Sequence, residues 1–118
     1  MSERILLKAD GKEIPAVLND TVAARDFKKR LPFTVSGYKS DVDFCCIAAS
    51  GIFDPSETQF DWENGDISLA GGWLSIFFDG GEQSENYRGM MIIAHIDEKY
   101  LPIVKNLPDT VRFKIELA

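Results

Sequence analysis

Apolar and polar positions alternate almost from the first residue. Ile5 and Leu7 fall on one side of an extended segment, with Arg4, Leu6 and Lys8 on the other, the period of a half-buried strand. Asp10-Gly11 supplies a tight hairpin turn, and the chain returns with Ile14, Ala16 and Leu18 on one face. Pro15 within that run marks an edge or an irregular position, because it brings no N–H to a ladder. The period then lengthens. Asn19-Asp20-Thr21 is a helix start, followed by Ala23, Phe27 and Leu31 at i, i+4 and i+8, an apolar stripe. Lys28, Lys29 and Arg30 fall in the last turn, where positive charge offsets the negative helix end. Leu31-Pro32 closes the helix.

Two strands follow, residues 33–38 and 42–48, the second with Val42, Phe44, Cys46 and Ala48 on one face. Residues 49–65 carry neither period. Residues 66–69 form a short strand and Ala70-Gly71-Gly72 a turn or bulge. Residues 73–78 are nearly all apolar, which predicts cover on both faces. Asp79-Gly80-Gly81 ends that strand, and residues 89–96 form another. Residues 97–108 begin as helix, but Pro102 and Pro108 limit it to a turn or two. Val111, Phe113, Ile115 and Leu117 then alternate with Arg112, Lys114 and Glu116, the cleanest half-buried strand in the chain.

The pattern predicts a mainly β fold with about eight strands, one main α-helix and one or two short helical turns. Closing the sheet removes its exposed edges, so a small closed barrel is expected. The 118 residues suit a single domain, 1–118, with one core. No internal repeat is visible.

Charge narrows the function. The net charge of −6 argues against nucleic acid and against anionic membrane surfaces. No Lys or Arg lies between Ser40 and Tyr87, a stretch holding Asp41, Asp43, Asp54, Glu57, Asp61, Glu63, Asp66, Asp79, Glu82 and Glu85. Acidic loops kept soluble by charge explain this; a surface that attracts a cation or a basic partner is the sharper alternative. No apolar run is long enough to span a bilayer, and residues 1–4 enter a strand pattern without an apolar signal core. Cys45 and Cys46 are adjacent; in a strand they point to opposite faces and do not bridge. A reducing cytoplasm is the expected location.

Leu18-Asn19-Asp20-Thr21, then Ala23-Ala24, Phe27, Leu31-Pro32 and Phe33-Thr34, resemble the opening of the small bacterial and archaeal cyclophilin-like proteins. Gly65-Asp66-Ile67 followed by residues 74–78, and residues 91–96 before a turn, extend the match in the expected order across nearly the whole chain. One departure is Ala70-Gly71-Gly72-Trp73, where relatives often read Pro-Trp-Gly. The resemblance implies a compact eight-stranded barrel with a helix across an opening, and no function by itself. The Phe-His-Arg, Gln-Gly-Gly-Asp and Gly-Ser-Gln-Phe-Phe runs of true cyclophilins are absent, so no catalytic residue carries over.

A prolyl isomerase needs a donor to the prolyl nitrogen in a dry apolar groove. Only Arg88 has such company, with Tyr87, Met90 and Met91 nearby; a solvated or ion-paired Arg at a strand entrance is the simpler explanation. His95, the single histidine, has the chemistry of a general base, against a purely structural His with Ile93 and Met91 on its face. Asp41 and Asp43, two apart, are candidates for a hard cation, but no DxDxDG loop accompanies them. Gly71-Gly72 and Gly80-Gly81 match no phosphate loop.

The expected activity is therefore binding of a small molecule or an extended peptide without efficient catalysis. The site expected is a cleft lined by Phe53, Phe60, Trp62, Trp73, Tyr87 and Met90, with residues 49–65 as one wall; long loops are often functional. Alternatively Phe53, Phe60 and Trp62 are plugs folded back onto the barrel. A peptidyl-prolyl isomerase is the alternative activity. A third reading, an accessory to flavin redox proteins, rests on similar domains joined to flavodoxin-like partners; no residue here supports a flavin site, and no cofactor is expected. Oligomeric state is left open.

Overall fold

The computed structural model describes residues 3–48, 50–85 and 88–118. Eight strands alternate with short helices: β1 (Glu3–Ala9), β2 (Lys12–Leu18), α1 (Val22–Lys28), β3 (Phe33–Lys39), β4 (Asp43–Ile47), β5 (Asp66–Ala70), β6 (Trp73–Phe77), β7 (Ile92–Ile96), α2 (Leu101–Lys105) and β8 (Thr110–Leu117). Single 3-10 turns occur at Pro55–Glu57, Gly81–Gln83 and Glu98–Tyr100. The strands close in the order β1-β2-β7-β5-β6-β4-β3-β8, and every neighbouring pair is antiparallel. The expected closed barrel is the observed one. No helix among the described residues is long and apolar enough to cross a membrane.

Alternation places the core. Ile5, Leu7 and Ala9 of β1 and Ile14, Ala16 and Leu18 of β2 are buried in register across the hairpin, whose turn is Asp10-Gly11. Pro15 pairs with Leu6 on one side, while the β2–β7 ladder begins only at Ala16. The missing N–H therefore falls outside that ladder. At the barrel centre Phe44 packs edge-on against Phe113 and Phe78, with ring centroids 5.3 and 5.8 Å apart.

The hydroxyl of Thr21 caps α1 by accepting from the Ala24 N–H at 3.1 Å. Ala23, Ala24 and Phe27 are the buried face of the helix. The helix stops at Lys28, one turn short of the stripe that ends at Leu31, and Leu31 packs at the margin of the core. The basic cluster is used locally: Lys28 pairs with Glu3 and Arg30 with Asp26.

Two further expectations are corrected. Only the inner face of β6 is covered by the barrel along its whole length; on its outer face Trp73 is 50% exposed and Ser75 half-buried. Leu117, the last residue of β8 and paired with Ile5, is exposed while Val111, Phe113 and Ile115 are buried. The 49–65 segment is fastened at single points. Glu57 accepts from the Val22 N–H at 2.9 Å, Arg30 donates to the Ser50 carbonyl at 2.7 Å, and Gln59 bridges to Met90.

Candidate functional site

The outer faces of β4, β6 and β5 form a shallow channel. Across it the register aligns Cys45 with Ser75 and Ser75 with Ser68, and one step along Ile47 with Trp73 and Trp73 with Ala70. Trp73 reaches this position because Gly71 and Gly72 turn the β5–β6 hairpin in two residues, both at positive φ (60° and 84°), the geometry of a type I′ turn. At the other end Trp62 folds over the outward ring of Phe77, centroids 4.2 Å apart and planes 17° from parallel. The groove has a volume of about 420 Å³ and is lined by Val42, Asp43, Trp62, Ser68, Ala70, Trp73, Ser75, Phe77 and Met90.

Its walls are apolar and its polar groups few, the usual make-up of a small-molecule site. The hydroxyls of Ser68 and Ser75 have no hydrogen-bond partner among the described residues. Asp43 is buried and engaged: its carboxylate accepts from the Ser40 hydroxyl at 2.6 Å and from the Cys45 thiol at 3.3 Å. Burial first, then the hydrogen bond and charge of Asp43, push the Cys45 thiol up to about 11. A thiol held there is almost wholly protonated at neutral pH and is no nucleophile.

Trp62 is pinned rather than mobile. Its indole N–H donates to the Asp79 carbonyl at 3.0 Å. Its backbone N–H donates to the hydroxyl of the fully buried Ser84, which donates in turn to the Gly81 carbonyl at 2.6 Å.

The predicted ligand residues divide. Trp62, Trp73 and Met90 line the one groove. Phe60 is exposed and carries the Arg88 guanidinium over its ring at 4.6 Å; neither lines the groove. Phe53 is exposed apart from it, and Tyr87 lies outside the described residues. Asp41 is exposed on the turn before β4 while Asp43 is buried in the strand, so the two are not brought into one site. Among the described residues no group of three or more His, Cys, Asp and Glu side chains is placed to hold a metal ion.

His95 stands outside this groove, on the far side of β5. Its strand neighbours differ from the expected ones. A register shift at Ile67/Ser68 on the β5–β7 ladder puts Met91, Ile93 and Ala94 all in the core, and Ile92 joins His95 along a second groove. Asp66 and His95 are direct cross-strand partners, and the His95 Nδ1 lies 2.8 Å from the Asp66 Oδ1. Sequence reasoning singled out His95 and missed Asp66, which sits 29 residues away; its one signal was an acid opening a strand.

The hypothetical protein from Archaeoglobus fulgidus whose solution structure is known shares this fold, with a TM-score of 0.67 at 14% identity over 99% of this chain and 95% of that one. At that identity the likeness speaks for the fold alone. A search of the curated proteins finds no match. The family model described as the Cyclophilin-like family matches residues 7–116, the span from the first hairpin to the last strand of the barrel, and the chain belongs to that family.

Proposed function

We propose that this chain is a binding module, one domain from end to end, whose ligand lies on the outside of the barrel in the groove over β4, β6 and β5. The observation that carries this reading is the pairing there of apolar walls with hydroxyls that face the groove and make no hydrogen bond to the described residues. The hydroxyls of Ser68 and Ser75 lack hydrogen-bond partners among the described residues, at the floor of a groove walled by Trp73, Met90 and the Trp62–Phe77 stack. Such a groove suits a small molecule or an extended peptide that offers a flat apolar body and one or two hydrogen-bonding groups. The protonated thiol of Cys45 and the engaged carboxylate of Asp43 favour binding over nucleophilic catalysis. Two free thiols on opposite strand faces fit a reducing compartment, in keeping with a cytoplasmic location.

A screen of small aromatic compounds and proline-containing peptides, read by Trp fluorescence, tests this. Binders are expected to compete with one another and to lose affinity at least tenfold in Trp73→Ala, whose fold is unchanged by circular dichroism. Binders indifferent to Trp73 would remove the groove as the site.

The isomerase reading has one observation in its favour: a guanidinium, that of Arg88, stacked on an exposed aromatic ring, Phe60, close in sequence to Met90. A protease-coupled isomerase assay is expected to show no efficient turnover. Turnover that disappears in Arg88→Ala would put isomerisation in place of simple binding.

A further inference from the structure

The second groove, on the far side of β5, has a chemistry of its own. It has a volume of about 280 Å³ and is lined by Val17, Asn19, Gln59, Glu63, Asp66, Ile92, Ala94 and His95. No lysine or arginine is among them.

The hydrogen bonds around Asp66 settle which atoms are available. The Asp66 side chain is 8% exposed. Its Oδ2 accepts from the Glu63 backbone N–H at 2.9 Å, and its Oδ1 faces the Nδ1 of His95 at 2.8 Å. An ionised carboxylate only accepts, so the His95 Nδ1 carries the proton and donates it. In the neutral ring Nε2 is then the bare acceptor. That atom has no hydrogen-bond partner among the described residues, and the side chain is 43% exposed.

Gly65 leaves room beside the ring. The Cε1–Nε2 edge lies against Gly65, where a Cβ would come within 3.1 Å of Cε1 and 3.4 Å of Nε2.

The other polar groups along the groove are divided in the same sense. Asn19 is spent: its amide donates to the Ile92 carbonyl at 2.6 Å and its carbonyl accepts from Thr21. Gln59 and Glu63 have side chains without partners among the described residues. The groove therefore offers a carboxylate, an imidazole lone pair and an amide beside the apolar surfaces of Val17, Ile92 and Ala94. His95 and Val17 also line an adjoining pocket with Arg4, Asp97, Lys99 and Tyr100, and neither of its cations lines the groove that holds Glu63.

We infer that this groove binds a small organic ammonium group, which donates hydrogen bonds to His95 Nε2 and the Glu63 carboxylate while its alkyl part rests on Val17, Ile92 and Ala94. Asp66 is a positioning residue: it presents the lone pair and does not meet the ligand. The site is separate from the groove over β4 and β6, and it stands or falls without it.

Because His95 is the only histidine, its ring nitrogens are a single reporter. The full chain, 15N-labelled, is observed by long-range 1H–15N NMR at a pH where the ring is neutral, and n-butylammonium, n-butanol and butyrate are titrated in parallel. Before ligand is added, the proton is expected on Nδ1. Butylammonium is then expected to move the Nε2 resonance upfield along a saturable curve, with no saturable response to butanol or butyrate. Glu63→Gln should weaken butylammonium by about fivefold, the scale of a partly exposed charge pair. Asp66→Asn should shift the proton to Nε2 and abolish the response; since Asp66 is buried, His95→Gln, monitored by the backbone amides of Ile92 and Ala94, gives the same loss without touching the carboxylate. A proton found on Nε2 in the unaltered protein, a response to butyrate instead, or butylammonium binding unaffected by both Glu63→Gln and His95→Gln would overturn the inference.

Discussion

Trp62 lies flat on Phe77, with ring centroids 4.2 Å apart, and so closes the outer face of β6 at one end while Trp73 leaves it open at the other. The two tryptophans of the chain thus serve opposite ends of one groove under opposite conditions of solvent. Trp62 is 5% exposed and hydrogen-bonded through both its indole and its backbone; Trp73 is half exposed.

Replacing Trp62 by alanine removes a stacked ring, leaves the Asp79 carbonyl without its donor and opens a cavity over Phe77. The expected loss is about 3–5 kcal/mol, the usual cost of emptying a buried aromatic site. Urea unfolding measures it directly. A loss under about 1 kcal/mol would mean that the stack contributes little to holding the 49–65 segment in place.

Trp73→Phe and Trp62→Phe separate the two emitters. The protein that keeps only Trp62 is expected to resist acrylamide quenching and to emit to the blue. The protein that keeps only Trp73 is expected to quench readily and emit to the red. Trp73→Ala should change stability by no more than about 0.5 kcal/mol, as for an exposed position away from the core. Equal quenching of both single-tryptophan proteins would contradict the burial difference on which the groove depends.

The barrel was legible in the sequence because its strands obey a local rule: Ile5, Leu7, Ile14, Ala16, Val111, Phe113 and Ile115 are spaced two apart and are buried. The start of α1 was legible for the same reason, since Thr21 caps within its own turn. The Asp66–His95 pair was not. It depends on the register between two strands brought together by closure, and on a shift at Ile67/Ser68 that reverses which residues of β7 face inward. No periodicity in either strand encodes that. The 49–65 segment was illegible for a different reason: it is held by isolated bonds from Glu57, Arg30 and Gln59 and by the Trp62–Phe77 stack, and isolated contacts leave no period. Its aromatics also fail to act together, because Trp62 is buried while Phe53 and Phe60 are exposed.

Gly65 joins three strands. Its N–H donates to the Phe77 carbonyl and its carbonyl accepts from the Ile96 N–H, each at 2.8 Å. Its φ is +106°, and an added Cβ would collide with the Ile96 carbonyl oxygen. Gly65→Ala is therefore expected to cost about 1–3 kcal/mol for the backbone conformation alone, and more for the collision. The same change should displace the His95 ring, seen as a shift of its ring resonances in whatever folded population remains. A fully stable Gly65→Ala protein with unmoved His95 resonances would show that this junction tolerates a side chain.

Cys45 and Cys46 give the chain a stability that depends on pH at the alkaline end. Burial, with help from Asp43, pushes the Cys45 thiol to about 11, and deeper burial, with the neighbouring Cys45 next, pushes Cys46 to about 12. Unfolded, both thiols titrate near 8.5. Between those limits the unfolded chain has released protons that the folded chain still holds, so stability falls as pH rises. The contribution is fully present below about pH 8.5 and is lost progressively up to about 11 and 12. Urea midpoints in wild type and Cys46→Ala, measured from pH 8 to 11, should converge as pH rises. The native thiols should also react slowly with iodoacetamide at neutral pH, roughly a hundredfold or more below the unfolded chain, because the thiolate fraction is lower by that factor. Asp43→Asn removes the secondary causes and leaves burial, so it should accelerate Cys45 only in part. Native alkylation as fast as that of the urea-unfolded chain would show that the Cys45 thiol is neither shielded nor held by Asp43.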